Sequence, residues 1–234
     1  GYNQTHHAEM FASNMRLQST PILAAAACEV PHVLQTSSVC VYAPEYNHPA
    51  LEANGHKGEP HPANAGYAWA KRMGERVAAW ANLAHSVIVR PSNIYGPRDY
   101  FDSKAHVIPA LIRKAIHNEE IVVNGSGKEE REFIYVEDVV RGMLTALEFG
   151  AHQGVYNLST DGQTCVSIAH LAEIIQKVTG TTEKPVRYTA AYDPGDTDRW
   201  SSGAAFASLV ATSVPVHPLP NGILRTVAWY KENL

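Results

Sequence analysis

The stretch HVLQTSS, residues 32–38, is a short run of apolar and β-branched residues followed directly by two serines. Such a run predicts a buried strand whose carboxyl end opens into a loop. The stretch SVIVR, residues 86–90, predicts a second buried strand. Apolar residues at helical spacing occupy residues 7–28, before the first strand, and residues 67–83, between the two strands. This alternation predicts an α/β fold with a parallel sheet flanked by helices.

The rest of the chain continues the alternation of helices and strands. We expect a strand at residues 121–123, a strand and then a helix over residues 131–149, and helices at residues 106–117, 167–179 (with Ser167 as N-cap) and 222–233. Pro, Gly and Asn punctuate residues 43–65 and 91–104, which predicts two long loops. Because loops at strand ends commonly carry ligand-binding residues, we expect the functional site there.

Composition and charge narrow the class of function. The chain has 234 residues, of which 45% are hydrophobic, as in proteins with a buried core. Its 19 basic and 23 acidic residues form no block of like charge, so we expect no nucleic-acid or membrane partner. No apolar run approaches the roughly 18 residues of a membrane span. Cys28, Cys40 and Cys165 suggest neither a disulfide framework nor a zinc site, which favours a cytoplasmic protein.

The chain also has 12 histidines, which raises the question of a metal centre. His6, His7, His56 and His61 stand in loop-like or helix-start sequence, and no His-Glu-x-x-His or comparable ligand spacing occurs. A metal-hydrolase function is therefore disfavoured, and we expect no metal site.

Tyr67 and Lys71 stand four residues apart, on one face of a predicted helix. An ammonium group near the phenol lowers the pKa of the phenol, because it favours the phenolate. By itself this spacing also fits an ordinary surface pair. Ser38 strengthens the functional interpretation, since a hydroxyl at the end of the preceding strand can hold a substrate oxygen while Tyr67 moves a proton.

Seven stretches carry a resemblance to a known family. They are TSSVCVY (36–42), YAWAK (67–71), RPSNIYGPRD (90–99), GSGK (125–128), REFIYVED (131–138), VYNL (155–158) and GDTDR (195–199). Their order resembles that of the extended short-chain dehydrogenase/reductases, specifically the NAD(P)-dependent nucleotide-sugar epimerase/dehydratase family. The resemblance implies a Rossmann-like sheet in residues 1–95 and about 131–160, and a smaller α+β substrate domain in residues 96–130 and about 161–234.

The same resemblance implies roles for individual residues. Ser38 and Tyr67 would lie at the sugar oxygen, and Lys71 would bind the ribose of NADP or NAD and lower the Tyr67 pKa. We also expect Ser37 and Pro91 beside the cofactor. The residues expected to bind the nucleotide sugar are Asn93, Lys114, Arg131 and Arg199. Arginine suits this task because its planar fork bonds phosphate oxygens in pairs, although Arg131 also fits a surface ion pair.

Cys40 and His106 point to a subgroup. Their positions are similar to the acid/base pair of the GDP-L-fucose synthases, which epimerise C3 and C5 of a 4-keto sugar and then reduce the ketone. Inversion requires a base on one face of the sugar and an acid on the other, which a thiol and an imidazole can provide near neutrality. A dehydratase is disfavoured because Ser38 and Cys40 stand where its Thr-Asp-Glu would be. A simple 4-epimerase and a non-catalytic family relative remain alternatives.

No glycine-rich strand-to-helix turn precedes Tyr2, although the family binds the cofactor pyrophosphate with such a turn. We therefore expect the chain to be part of a longer enzyme. The resemblance further implies a homodimer in which the helices at residues 7–28 and 67–83 pair across a two-fold axis. A GDP-sugar is the favoured substrate.

Overall fold

The computed structural model describes residues 2–46, 48–102, 105–117, 120–189, 198–209 and 216–233. Its helices are α1 Tyr2–Thr5, α2 His7–Ala27, α3 Ala65–Trp80, α4 Val107–Ile116, α5 Val136–Phe149, α6 Ile168–Thr179, α7 Ala204–Ala207 and α8 Leu219–Asn233. Its strands are β1 Val33–Thr36, β2 Ser86–Pro91, β3 Asn93–Tyr95, β4 Ile121–Val123, β5 Glu130–Tyr135, β6 Gly154–Leu158, β7 Cys165–Ser167 and β8 Val186–Tyr188. Residues 195–197 of the GDTDR stretch lie outside the described residues.

The central sheet has the strand order β1-β2-β6, and all its pairings are parallel. Val33 pairs with Ser86 and Thr36 with Val89, so β1 and β2 end at the same edge. The Ser37 amide continues the ladder by donating to the carbonyl of Val89 at 2.7 Å. The predicted α/β fold with a parallel sheet is therefore confirmed, and the loop after β1 opens beside the end of β2.

Two smaller sheets complete the fold. In one, β3 pairs in parallel with β5, which pairs antiparallel with β7; in the other, β4 pairs in parallel with β8. The prediction that residues 91–104 are entirely loop was wrong, because β3 lies within them. The three residues of β3 are too few to show a period, and the pairing with β5 that stabilises them involves residues distant in sequence. The division into two domains stays a prediction.

The longer predicted helices are confirmed, with ends that differ by at most three residues: α3 ends at Trp80 rather than at residue 83. The Ser167 side chain caps α6 by accepting from the backbone N–H of His170 at 3.1 Å, as expected. The last helix begins at Leu219 rather than at residue 222. Pro220 lies in its first turn, where the missing N–H costs nothing. No helix in the described part of the chain is both long and apolar enough to cross a membrane.

α2 and α3 pack closely against each other beside β1. Gly74 of α3 makes this approach possible, since a Cβ at this position would lie 2.7 Å from the Cβ of Gln18. The Gln35 side chain on β1 donates to the Gln18 side chain at 2.9 Å. On the other side of the molecule, Ile112 of α4 and Ile223 of α8 are buried in a larger apolar core around β4 and β5. The two regions enclose the loops that follow β1, β2 and β3.

A buried ion pair joins α3 to the central sheet. Arg90 on β2 donates to both carboxylate oxygens of Glu75 on α3, at 2.8 and 2.7 Å. Ser37 and His56 also contact the Glu75 carboxylate, at 2.5 and 2.7 Å. A further guanidinium nitrogen of Arg90 donates to the hydroxyl of Tyr42 at 2.9 Å. One carboxylate therefore fixes the helix, both central strands and the long loop at residues 43–65.

The charge of Glu75 is maintained by its partners. Burial alone would raise the pKa of this carboxyl group, but hydrogen bonds from Arg90 and His56, together with the charge of Arg90, lower it to about 2. Because the folded-state pKa lies below the ordinary value, this carboxylate stabilises the fold above about pH 4.5. The stabilisation is lost as the pH falls through the interval from about 4.5 to about 2.

We expect Glu75→Gln to lower the free energy of unfolding by roughly 3 kcal/mol or more near pH 7, because it leaves the buried Arg90 guanidinium without its anion. Urea unfolding measures the change. The matched control is Glu173→Gln, which removes an exposed helical carboxylate paired with His170 and should cost less than about 1 kcal/mol. The wild type and Glu75→Gln should converge in stability as the pH approaches 2, and a difference independent of pH would contradict the assignment.

Candidate active site

A cavity of about 830 Å³ lies beyond the carboxyl ends of β1 and β2. The sheet edge, the start of α3, α4 and the β4–β5 region form its walls. It brings together every site residue that the sequence predicted, namely Ser37, Ser38, Cys40, Tyr67, Lys71, Pro91, Asn93, His106, Lys114, Arg131 and Arg199. Residues this far apart in sequence therefore line one cavity.

Ser38, Tyr67 and Lys71 form one wall of the cavity. Ser38 is extended and caps a short turn, and its hydroxyl oxygen accepts from the amide of Cys40 at 3.1 Å. Tyr67, in the first turn of α3, shares a side-chain hydrogen bond with Ser38. Lys71 lies one turn further, with its Nζ 5.5 Å from the centre of the Tyr67 ring. The serine and tyrosine hydroxyls can therefore meet one substrate oxygen.

The electrostatics of this wall differ from the expectation that Lys71 lowers the Tyr67 pKa. Burial raises the pKa of the Tyr67 phenol, Cys40 raises it further, and only the hydrogen bond with Ser38 opposes the rise. The Lys71 Nζ donates to the carbonyl of Thr36 at 2.8 Å, away from the phenol oxygen. Burial also lowers the pKa of Lys71 itself, against the opposing effects of Cys40 and Glu75. In this structure Tyr67 is thus a proton-holding group.

The opposite wall carries two arginines in register. Arg131 and Arg199 are paired in a parallel backbone bridge. The Arg199 amide donates to the carbonyl of the preceding strand residue, Glu130, at 2.9 Å. Arg199 is buried, and its Nη1 donates to the Cys40 sulfur at 3.1 Å. The two guanidinium groups give this wall a positive charge suited to phosphate oxygens.

His61 is a neighbour of this wall that the sequence analysis considered only as a possible metal ligand. Burial and then the charges of Arg199 and Arg131 lower the pKa of its imidazole. Its Nδ1 accepts from the amide of Ala63 at 3.2 Å, at the turn that precedes α3. A neutral His61 therefore carries its proton on Nε2. No motif links it to the arginines, so only the fold could identify it.

His106 stands at the N-terminus of α4, on the rim of the cavity, where its side chain is exposed. Its Nδ1 lies 3.8 Å from the carboxylate of Asp99. The interaction with Asp99 raises the pKa of His106 despite the opposing effect of desolvation. His106 is therefore disposed to hold a proton near neutrality, as a general acid must.

The other predicted binding residues differ in whether their side chains are already engaged in hydrogen bonds. Asn93 donates to the carbonyl of Glu132 at 2.7 Å, and Lys114 donates to the carbonyl of Val122 at 2.8 Å, so both are oriented by backbone contacts. The Ser37 hydroxyl is committed to Glu75, and Pro91 lies buried at the end of β2. Among the described residues, no cluster of three or more His, Cys, Asp or Glu side chains could hold a metal ion.

Glu132 organises the arginine wall, and the sequence analysis missed it. Its side chain is fully buried, and no described cation pairs with it. It accepts hydrogen bonds from Ser92 Oγ at 2.5 Å, Ser159 Oγ at 2.8 Å, Thr160 N and Oγ1 at 2.9 and 2.8 Å, Gly162 N at 3.1 Å and Ser201 N at 3.3 Å. Its amide donates to the carbonyl of Arg199 at 3.1 Å. The only sequence signal was its position beside Arg131 in the REFIYVED stretch.

Glu132→Gln should lower the free energy of unfolding by about 3 kcal/mol, because the amide NH₂ would face the hydroxyls and amides that now donate to a carboxylate. Glu130→Gln, at an exposed position on the same strand, should change it by no more than about 0.5 kcal/mol. Parallel urea titrations of both variants test this difference. Equal effects would show that the hydrogen bonds to Glu132 contribute little.

Comparisons with known proteins agree with the fold. Residues 1–159 match the NAD dependent epimerase/dehydratase family. A probable GDP-L-fucose synthase of Oryza sativa is 30% identical, over 99% of this chain and 72% of its own length. The GDP-L-fucose synthase of Escherichia coli is 34% identical, over 76% of this chain and 60% of its own length.

A solved GDP-L-fucose synthetase of Naegleria fowleri, bound to NADP, superposes with a TM-score of 0.86. It is 27% identical, and the match covers 97% of this chain and 74% of that one. A GDP-6-OMe-4-keto-L-xylo-heptose reductase of Campylobacter jejuni, at 19% identity and a TM-score of 0.89, shares the fold. The resemblance inferred from the sequence is thereby confirmed, and the chain belongs to the NAD dependent epimerase/dehydratase family.

Proposed function

We propose that this protein is an NAD(P)-dependent epimerase/reductase that inverts C3 and C5 of a GDP-4-keto-6-deoxy-hexose and reduces the ketone at C4. The observation that carries the proposal is the placement of Cys40 and His106 in the same cavity as Ser38, Tyr67 and Lys71. The similarity to GDP-L-fucose synthases over 99% of the chain supports the same substrate class.

The epimerisation requires a proton to leave one face of the sugar and another to arrive on the opposite face. A C4 ketone acidifies the C–H bonds at C3 and C5, because the electron pair left behind moves onto the ketone oxygen. Cys40 is half-buried beside Ser38 and His106 lies exposed at the rim of the same cavity, so the two groups could approach a ring from different sides. The raised pKa of His106 suits it to the donor role.

The reduction requires a proton at the C4 oxygen. Tyr67 can supply it, since burial raises the phenol pKa and the group arrives protonated, while Ser38 hydrogen-bonds the same oxygen. The bound nicotinamide cofactor would supply the hydride. Lys71 is buried beside the cavity, and in the described structure its ammonium group donates to one acceptor, the carbonyl oxygen of Thr36. Its other two N–H donors could therefore bind the cofactor ribose. Pro91 and Ser37 would lie beside the bound cofactor.

The arginine wall suits the substrate's diphosphate. Arg131 and Arg199 offer donors in planar forks, and Asn93 is held between them and the Ser38 wall by its bond to the Glu132 carbonyl. Lys114 lies further along the same cavity. With the diphosphate on this wall, we expect the sugar ring to lie toward Tyr67 and the nucleotide away from it.

Incubation of the full-length protein with NADPH and GDP-4-keto-6-deoxy-mannose in deuterated water tests the proposal. Deuterium should enter C3 and C5 while NADPH is consumed. Cys40→Ser should lower deuterium incorporation at least about 100-fold, and Tyr67→Phe should lower NADPH oxidation while retaining incorporation. Cys28→Ser removes an exposed thiol outside the cavity and should change neither rate. NADPH oxidation without deuterium incorporation would contradict the epimerisation and leave a 4-ketone reductase. Interconversion of a GDP-hexose and its C4 epimer without net NADPH consumption would support the 4-epimerase instead, and cofactor binding without any turnover would support a non-catalytic relative.

We further propose that the protein forms a homodimer through α2 and α3 and resides in the cytoplasm. Leu17, Leu23 and Trp80 on these helices are exposed apolar side chains, which a second copy would cover. The three cysteines are free, which suits a reducing compartment.

In sedimentation velocity at micromolar concentration, we expect the full-length protein to run as a dimer. The double variant Leu17→Glu/Leu23→Glu should run as a monomer, because it places charges in the apolar contact. Leu224→Glu, at an equally exposed position on α8, serves as the control and should remain dimeric. A monomeric wild type would refute the dimer without affecting the proposed chemistry.

A further inference from the structure

The contact between Arg199 and Cys40 joins the two walls of the cavity. Arg199 Nη1 lies 3.1 Å from the Cys40 sulfur, although 159 positions separate the residues. The Cys40 amide is fixed at the same time by its bond to the Ser38 hydroxyl oxygen at 3.1 Å. Backbone bonds to Glu130 and Glu132 hold Arg199 on the other side. Both partners are thus positioned by the fold.

The Arg199 guanidinium lacks a carboxylate partner within the described part of the chain. Its side chain is only 4% exposed, and its Nε is buried without a hydrogen-bond acceptor. A buried cation in this condition costs several kcal/mol unless an anion compensates it. The neighbouring groups Arg131 and His61 supply no negative charge. Two nearby carboxylates have other hydrogen-bond donors: Asp198 accepts from the Glu130 amide, and Glu132 accepts from the Ser201 amide. Among the contacts that the described residues make with this guanidinium, the Cys40 sulfur is the one that can become an anion.

Titratable groups on both walls of the cavity interact with the Cys40 thiol. Lys71 and Tyr67 are the titratable groups that interact with the thiol from α3, and Arg199 contacts it from the opposite wall. The interaction with Cys40 raises the pKa of Lys71, against the larger effect of burial. Two cationic side chains and one phenol therefore interact with this sulfur.

We propose that Arg199 stabilises Cys40 as a thiolate in the resting protein, so that Arg199 acts on the reacting sulfur as well as on phosphate. Cys40 would then be the base: a C–H bond of the sugar breaks, an S–H bond forms, and the electron pair moves to the C4 oxygen. His106 returns a proton to the carbon, and exchange with water restores both groups. This use of the thiolate rests on the proposed function, whereas the reactivity of the sulfur does not.

Alkylation by iodoacetamide near pH 7 tests the contact without substrate or cofactor, since only the thiolate reacts. Peptide mass spectrometry gives a separate rate for each cysteine of the full chain. We expect Arg199→Met to lower the Cys40 rate at least tenfold and Arg199→Lys to lower it less. Cys28 is exposed and should keep its rate in every variant. Burial raises the pKa of Cys165 to about 11, so this thiol should remain slow and report an intact fold.

Arg131→Met is the matched control, because it removes a neighbouring cation from the same wall. It should lower the Cys40 rate less than threefold. The proposal is overturned if Arg199→Met leaves the Cys40 rate within twofold of the wild type, or if Arg131→Met lowers it equally. Should Cys165 become reactive in Arg199→Met, the comparison passes to the neutral polar variant Arg199→Gln, where an unchanged Cys40 rate would overturn the proposal.

Discussion

The buried pair of Glu75 and Arg90 is the interaction on which the rest of the structure depends. Glu75 belongs to the same helix as Tyr67 and Lys71, and Arg90 lies at the end of a central strand. The Ser37 hydroxyl donates to the same carboxylate, one residue before Ser38. The pair therefore fixes the relative positions of the helix and the strand end that supply the proton-transfer groups. A shift of either partner would separate groups that must meet at one oxygen atom.

The network extends from this pair to the substrate wall. Arg90 bonds the Tyr42 hydroxyl, which donates to the Asn157 side chain at 2.6 Å. The Asn157 amide group in turn donates to the carbonyls of Ala50 and Ser202, at 3.0 and 3.2 Å. Ser202 follows Arg199 in a short segment that a second buried carboxylate, Glu132, also holds. Two carboxylates, one paired with a cation and one surrounded by neutral donors, thus position the two walls of the cavity.

The sequence predicted the longer helices, the central strands and the family because these signals are local. The helices α2 and α6 are long enough to show helical spacing of apolar residues. The family motifs TSSVCVY and YAWAK are each a contiguous stretch of sequence. The three-residue strand β3 carries no period and exists through its pairing with β5. The contacts of Glu132, and the approach of His61 to the arginines, likewise depend on residues distant in sequence. Tyr67 shows the same limit: its spacing from Lys71 was right, but burial decided the direction of its pKa.

His106 and Cys40, the two proposed proton-transfer groups, have oppositely charged neighbours. This difference suits one of them to donate a proton and the other to accept one. Asp99 raises the pKa of His106, so an anion at the rim of the cavity favours the protonated imidazole. Arg199 contacts Cys40 inside it, and within the described part of the chain this cation has no carboxylate partner, which is the basis of the proposed thiolate. An acid and a base prepared in this way need no proton exchange between them before a substrate arrives. A 4-keto sugar entering between them would meet the base on the inner face and the acid at the rim, which is the arrangement that inversion at carbon requires.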